Sequence, residues 1–282
     1  MSIQFNLKTQ KIFLGIKEII KAYKGTTLLY EKLLPPSGEL FFGGLTTRTV
    51  IKASLGDLSS VGATPSYGGD IQSIAVDDTY IYVGGVTTRT VRKYLKSDLS
   101  YVGETPNYGS NIMSITVDDT HIYVGVASNQ IIRKFLKSNL SYVGETPSYS
   151  GAIYSIAVDD TYIYACGSLT QLVRKYLKSN LSYVGVTASY GVGNMRSIAI
   201  DDTYIYAGGD GLTVRKYLKS DLSYVGATPN YGGNINSIAV DDTHIYIGGV
   251  TTQTVRKYLK SDLSYKGETL SYGGTINTIA IG

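Results

Sequence analysis

Residues 73–113 read "SIAVDDTYIYVGGVTTRTVRKYLKSDLSYVGETPNYGSNIM", and the same sentence is spelled again from Ser114, Ser155, Ser197 and Ser237. The spacing of those serines, 41, 41, 42 and 40 residues, sets the period of the chain. Each copy divides into four short runs of β-branched and aromatic residues. In the first copy these are "SIAV" (A), "YIYVGG" (B), "TVRKYL" (C) and "SYVGET" (D). Between them stand "DDT", a loop and "KSDL", rich in the Gly, Asp and Ser that favour turns. A more divergent copy, "GELFFGGLTTRTVIKASLGDLSSVGATPSYGGDIQ", runs from Gly38 to Gln72 and lacks the A run. The C-terminal "TIAIG", residues 278–282, is an A run with nothing after it.

Four strands in about 41 residues is the dimension of a β-propeller blade. Five full copies and one split copy predict an all-β, six-bladed propeller over residues 37–282. A ring left open would expose two sheet edges to other chains. The reading therefore expects 278–282 to close it as the innermost strand of blade 1. Small Ser and Ala residues in run A suit the axis, and the tyrosines of B and C fill the wedge between blades.

Composition agrees with many short strands: 32 glycines, 26 tyrosines and no tryptophan. No run of 18 apolar residues is present, so no membrane insertion is expected, and the first 20 residues lack the apolar core of a secretory signal. The one cysteine, Cys166, stands where sister copies have glycine and reads as a small filler. Residues 1–36 carry six lysines and two glutamates, which accounts for the net charge of +4. The remaining 246 residues balance 20 basic against 20 acidic groups, which argues against nucleic acid as a partner.

The unit "SIAVDDTYIYVGG…TVRKYLKSDLSYVGET" resembles YVTN and NHL propeller repeats over residues 38–282, and lacks the Gly-His and Trp-Asp pairs of WD40 repeats. That resemblance implies architecture and little about activity. Residues 1–36 are unrelated to the blades. Ile12, Ile16, Ile19, Ile20 and Tyr23 fit a helical stripe, yet "IFLG", "IIKAYKG" and "TLLYEKL" also read as strands. "FLG…IKAYKGTTLLYEK", within residues 12–32, resembles a segment near the N-termini of tailed-phage and prophage structural proteins. The resemblance implies small β modules in tail or baseplate, attachment to other virion proteins through residues 1–36, and a homotrimer as the common form of such attachment proteins.

Candidate chemistry is sparse. The pairs Asp77-Asp78, Asp118-Asp119, Asp159-Asp160, Asp201-Asp202 and Asp241-Asp242 recur in every A–B turn, as turn formers do. Peripheral calcium is the alternative reading. His121 and His244 replace a tyrosine in separate blades. The repeated Arg-Lys step of run C (Arg92-Lys93 in the first copy) is expected to pair with carboxylates of neighbouring turns. No catalytic residues, metal or cofactor are expected.

What varies between copies is freed from the demands of the scaffold. The "DDT" and "KSDL" turns, on one face, hardly change. On the opposite face the B–C loops differ, and so do the residues before run A: Gln72, Met113, Tyr154, Arg196, Asn236 and Asn277. Beside them lie the D–A loop tyrosines Tyr67, Tyr108, Tyr149, Tyr190, Tyr231 and Tyr272. Aromatic faces next to amides and Arg suit sugars or a protein epitope. The expectation is a non-enzymatic phage structural protein in the virion that contacts a host-surface glycan or protein through these twelve residues. A particle decoration protein and a cytoplasmic scaffold for protein–protein interaction are the alternatives.

Overall fold

The computed structural model describes residues 10–13, 23–24, 27–28, 39–44, 48–54, 60–128, 130–191, 193–271, 273–277 and 279. It is a six-bladed β-propeller of four-stranded antiparallel sheets, with no helix among the described residues. Blade 2 shows the pattern: strands A (Ile71–Val76), B (Tyr80–Gly85), C (Arg92–Leu95) and D (Tyr101–Glu104), each paired with the next. Blades 3 to 6 repeat it from Ile112, Ile153, Met195 and Ile235.

Run by run, the sequence explains the order. Strand B is buried along nearly its whole length, as a strand covered on both faces must be, and it is the most apolar run of the unit. Strand D carries exposed Tyr and Val side chains and forms the outer edge. Strand A begins two residues earlier than the serine predicts, and a bulge between Ile71 and Ser73 takes up the extra residue, Gln72.

Three contacts, each between consecutive blades, hold the stack. First, the A-strand serine accepts a backbone N–H from the next A strand: Ile115 N to Ser73 Oγ at 2.9 Å, Ile156 to Ser114 at 3.2 Å, Ile198 to Ser155 at 3.3 Å and Ile238 to Ser197 at 2.9 Å. Run A therefore holds serine for a bond, beyond mere smallness. Second, the leucine of each "KSDL" turn inserts against the strand-D glycine of the preceding blade; a Cβ at Gly144 would lie 3.0 Å from Leu181 Cδ1. Leu99, Leu140, Leu181, Leu222 and Leu263 all adopt φ of 61–65° to make that insertion. Such backbone costs on the order of 1 kcal/mol for a residue with a Cβ, and burial of the leucine offsets it. Third, apolar clusters straddle the junctions, as where Tyr82 and Val91 of blade 2 pack with Ile112, Ile115 and Val124 of blade 3.

The expected closing strand needs correction. The backbone paired with the inner edge of Glu39–Gly44 in blade 1 is Gln10–Phe13, in the register Ile12↔Phe42 and Phe13↔Phe41. Residues 278 and 280–282 lie outside the described residues. Ile279, however, stands beside blade 6 in the inner-strand seat of a following blade: its N–H meets Ser237 Oγ at 2.7 Å, and the Ile276 N–H meets the Gly249 carbonyl at 3.0 Å. The physical reason is that ladder bonds use main-chain groups alone, so an open edge accepts any extended segment within reach. Residues 1–36 therefore contribute a strand to the propeller. Tyr23–Lys24 and Thr27–Leu28 pair antiparallel, which favours the strand reading over the helical stripe there; the rest of 12–32 lies outside the described residues.

Candidate functional site: the two faces of the disc

The loop tyrosines expected at the variable face are core residues. Tyr67, Tyr108, Tyr149, Tyr190 and Tyr231 are at most 3% exposed, and Tyr272 lies outside the described residues. Each reaches across a junction. Tyr149 takes the carbonyl of Gln130 in blade 3 with its N–H at 2.5 Å and gives its hydroxyl to the carbonyl of Leu172 in blade 4 at 2.7 Å. Tyr67, Tyr190 and Tyr231 likewise donate to the carbonyls of Thr90, Thr213 and Thr254. The following blade's arginine covers each ring, with the Arg174 guanidinium 5.3 Å from the Tyr149 centroid and Arg215 5.0 Å from that of Tyr190. These five described rings therefore offer no face to a ligand. The sequence hid this because a buried and an exposed loop tyrosine are spelled alike.

The residues before run A fare differently. Gln72, Met113, Tyr154, Arg196 and Asn236 occupy one position of the innermost strand, Asn277 takes the equivalent place beside blade 6, and all six are half-buried. They are neighbours around the axis: Asn236 Nδ2 lies 3.3 Å from Asn277 Oδ1 and 3.4 Å from the Ile276 carbonyl. Arg196 Nε holds Asp210 Oδ1 of its B–C loop at 2.6 Å, while Asp210 Oδ2 accepts the Asn194 N–H at 2.9 Å. Burial alone would raise the Asp210 carboxyl; those donors outweigh it and hold the group below the ordinary carboxylate range. The mouth of the axis is thus polar apart from Met113, and it differs in nearly every blade.

On the opposite face the invariant turns form a repeated ion lattice. Asp77 Oδ1 accepts the N–H groups of Thr79 and Tyr80 at 2.8 and 2.7 Å, and Oδ2 accepts the Tyr82 hydroxyl at 3.0 Å. The same oxygen meets Lys137 Nζ of the next blade at 2.5 Å. The pattern recurs as Lys178–Asp118 (2.7 Å), Lys219–Asp159 (2.6 Å) and Lys260–Asp201 (2.5 Å). The lysine that pairs with a turn carboxylate is therefore that of "KSDL", not the run-C step. The run-C lysine sits over the ring at the start of strand B, Lys93 Nζ 3.7 Å from the Tyr80 centroid, and donates to the Lys137 carbonyl at 2.6 Å. Its neighbour Arg92 pairs with Glu104 of the adjacent strand at 2.9 Å.

His121 and His244 complete turns: their Nδ1 atoms lie 2.6 and 2.7 Å from the Thr120 and Thr243 hydroxyls. Burial, and then the Lys134 ammonium, push the His121 imidazole below its ordinary value. Cys166 is fully buried, which pushes its thiol well up and leaves it unreactive. Among the described residues no group of three His, Cys, Asp or Glu side chains is placed to hold a metal ion.

The lattice makes acid the natural denaturant. Burial opposes ionisation of Asp77, Asp118, Asp159 and Asp201, but the lysine, the two N–H groups and the tyrosine hydroxyl outweigh it and lower all four. A lowered folded pKa contributes stability that is present above the unfolded value of about 3.9 and lost as pH falls through the folded one. The melting temperature should accordingly be level above about pH 5 and drop steeply below about pH 4. Lys178→Met, which leaves the Asp118 carboxylate without its ammonium, should lower the plateau and shallow the acid limb. Melting curves from pH 2 to 8 check both.

The solved structures place this architecture among propellers. The chain is similar to the WD40 β-propeller domain of Doa1, at 13% identity, a TM-score of 0.73, and coverage of 85% of this chain and 81% of that one. It is also similar to the computationally designed protein Ika8, at 9% identity, a TM-score of 0.71, and coverage of 85% and 74%. At such identities the likeness is one of fold, and the missing WD40 pairs show that this fold is reached here by another repeat. No family model matches the chain, and no curated protein matches it.

Proposed function

We propose that the chain is a non-enzymatic recognition propeller of a phage or phage-derived particle, binding a host-surface glycan or protein at the mouth of its axis. One observation carries the reading. On a scaffold whose junctions repeat the same side chains, the one inner-strand position at the mouth holds Gln72, Met113, Tyr154, Arg196 and Asn236, with Asn277 in the equivalent place beside blade 6. A symmetric scaffold with an asymmetric mouth suits a shaped ligand. The six mouth residues offer amides, a guanidinium, a thioether and one phenol, and Arg196 is engaged with the Asp210 carboxylate. That inventory hydrogen-bonds hydroxyls and amides but supplies no acid–base pair, which supports binding without turnover. The virion assignment, with residues 1–36 as the link to other particle proteins and a trimer as the assembly, rests on the resemblance of residues 12–32.

The test is binding of purified protein to arrays of host wall polysaccharide and to host surface protein extracts. Tyr154→Ala and Arg196→Ala should each weaken binding about tenfold, the loss of one good polar or stacking contact. Failure of the unmodified protein to bind either class overturns the reading. Incorporation into particles by a chain lacking residues 1–36 overturns the anchoring role. A propeller is equally a scaffold for protein–protein contacts, and capture of host cytoplasmic protein rather than surface material would favour that use.

A further inference from the structure

Blade 1 has no A run before its B strand, and two segments of the chain fit that place. In the full blades the ladder between strands A and B has one register. Blade 2 sets Ser73 against Gly84, Ile74 against Val83 and Ala75 against Tyr82, and blades 3 to 6 repeat it. Carried onto Glu39–Gly44, that register assigns Gly43, Phe42 and Phe41 to Thr278, Ile279 and Ala280. Those same three residues are paired with Lys11, Ile12 and Phe13. The two segments are also spelled alike. "KIFLG", residues 11–15, and "TIAIG", residues 278–282, share an isoleucine, an aliphatic residue two further on and a final glycine.

Each segment makes half of the contacts of an inner strand. Gln10–Phe13 has the main-chain ladder to blade 1. Residues 276–279 have the junction with blade 6: the Ile279 N–H meets Ser237, and Ile276 and Ile279 press on Gly248 as Ile112 and Ile115 press on Gly84. In blade 3 a single strand, Ile112–Val117, makes both sets. The edge of a sheet has room for one strand, so the two segments are rivals for it.

Blade 1 is also the blade tied least firmly to its neighbours. Its sequence has Leu55 where the other copies have the "KSDL" lysine, and Asp241 of blade 6 meets no lysine among the described residues. The Asp241 side chain is 32% exposed, against 17–21% for the four turn aspartates that hold a lysine. On the other side Lys96 of blade 2 lies near the Phe41 ring and meets no carboxylate among the described residues; the C-terminal copy has Gly282 in the place of Asp241. Both junctions of blade 1 therefore lack the bridge that locks the others, which lowers the cost of parting its strands.

We propose that the inner edge of blade 1 is a strand-exchange site, at which Gln10–Phe13 and residues 276–281 displace one another. When the C-terminal strand takes the edge, one continuous strand joins blades 6 and 1, and the N-terminal segment is released. Under the anchoring role proposed above, release would tie particle attachment to ring closure; the exchange itself does not depend on that role.

The experiment places three cysteines in the full chain, Ile12→Cys, Phe42→Cys and Ile279→Cys, in a glutathione buffer that lets disulfides equilibrate. Opposed residues of antiparallel strands lie about 4.5–5.5 Å apart between Cα atoms, within disulfide reach. Cys166 is fully buried and does not compete. Peptide mapping should find both the 12–42 and the 279–42 crosslink, neither rarer than about a tenth of the other. With only two of the cysteines present, each crosslink becomes a lock. Trypsin should cut after Lys11 at least about tenfold faster in the 279–42 lock than in the 12–42 lock. Deleting residues 1–13 should leave the melting temperature nearly unchanged, because the C-terminal strand takes the edge, whereas deleting 276–282 as well should lower it steeply. The deletions carry no cysteine changes, so they decide the matter if a lock fails to fold. One crosslink alone, equal trypsin rates in the two locks, or a loss on deleting 1–13 as large as on deleting both segments each overturns the exchange.

Discussion

Tyr149→Ala is expected to cost about 3–5 kcal/mol of unfolding free energy, the usual price of deleting a fully buried aromatic ring. The ring has no exposed surface, lies under Arg174 and belongs to the cluster that joins strands B and C of blade 3 to blade 4. Its removal opens a cavity at a junction, where neither blade alone can collapse to fill it. Tyr149→Phe keeps the ring and leaves the Leu172 carbonyl without its donor, so it should cost only about 1 kcal/mol. Urea unfolding of the two variants separates these contributions. A near-neutral Tyr149→Ala would mean the ring is not part of the junction.

The second large effect concerns glycine. In blade 3 a Cβ on Gly125 would lie 2.6 Å from Cγ2 of Ile153 in blade 4, so Gly125→Cys is overpacked and should destabilise by about 1–3 kcal/mol. The chain already holds the tolerated version of this change. Cys166 occupies the same place in blade 4, and the residue facing it in blade 5 is Met195, where the other copies have a β-branched isoleucine. An unbranched side chain moves its bulk away from the intruding thiol, which β-branching forbids. Ile153→Met added to Gly125→Cys should therefore recover most of the loss, and Met195→Ile alone should destabilise. A double-mutant cycle with no coupling between residues 125 and 153 would refute the pairing.

These two cases show what could be read from the chain alone. The period, the four strands per unit and the count of blades follow from spacing and residue type, because main-chain ladders and two-sided burial impose them. Cys166 could be recognised as a filler in a glycine position, but Met195 as its complement could not, since nothing in the period says which strands face one another across a junction. The six half-buried mouth residues were legible as the position that varies. The tyrosines beside them were misjudged because a loop is expected at the surface, whereas these loops are pulled inward by hydroxyl-to-carbonyl bonds to the next blade. The partner of the turn aspartate was misassigned for a related reason. The run-C and "KSDL" lysines lie only three residues apart in sequence, and only the three-dimensional junction decides which one reaches Asp77.

The junction chemistry also bears on how such a chain changes over generations. Serine to main-chain N–H, leucine against glycine and lysine to aspartate recur from one blade to the next, and Ile279 continues the first of these beyond blade 6. Most units can therefore follow one another without a new contact having to arise at the seam, the exception being the matched Cys166–Met195 junction. Unequal crossing-over between copies of a 41-residue coding segment would yield rings of altered blade number whose joints already fit. The mouth residues and B–C loops would meanwhile be shuffled as cassettes, so a lineage could exchange specificities without first having to repair its architecture.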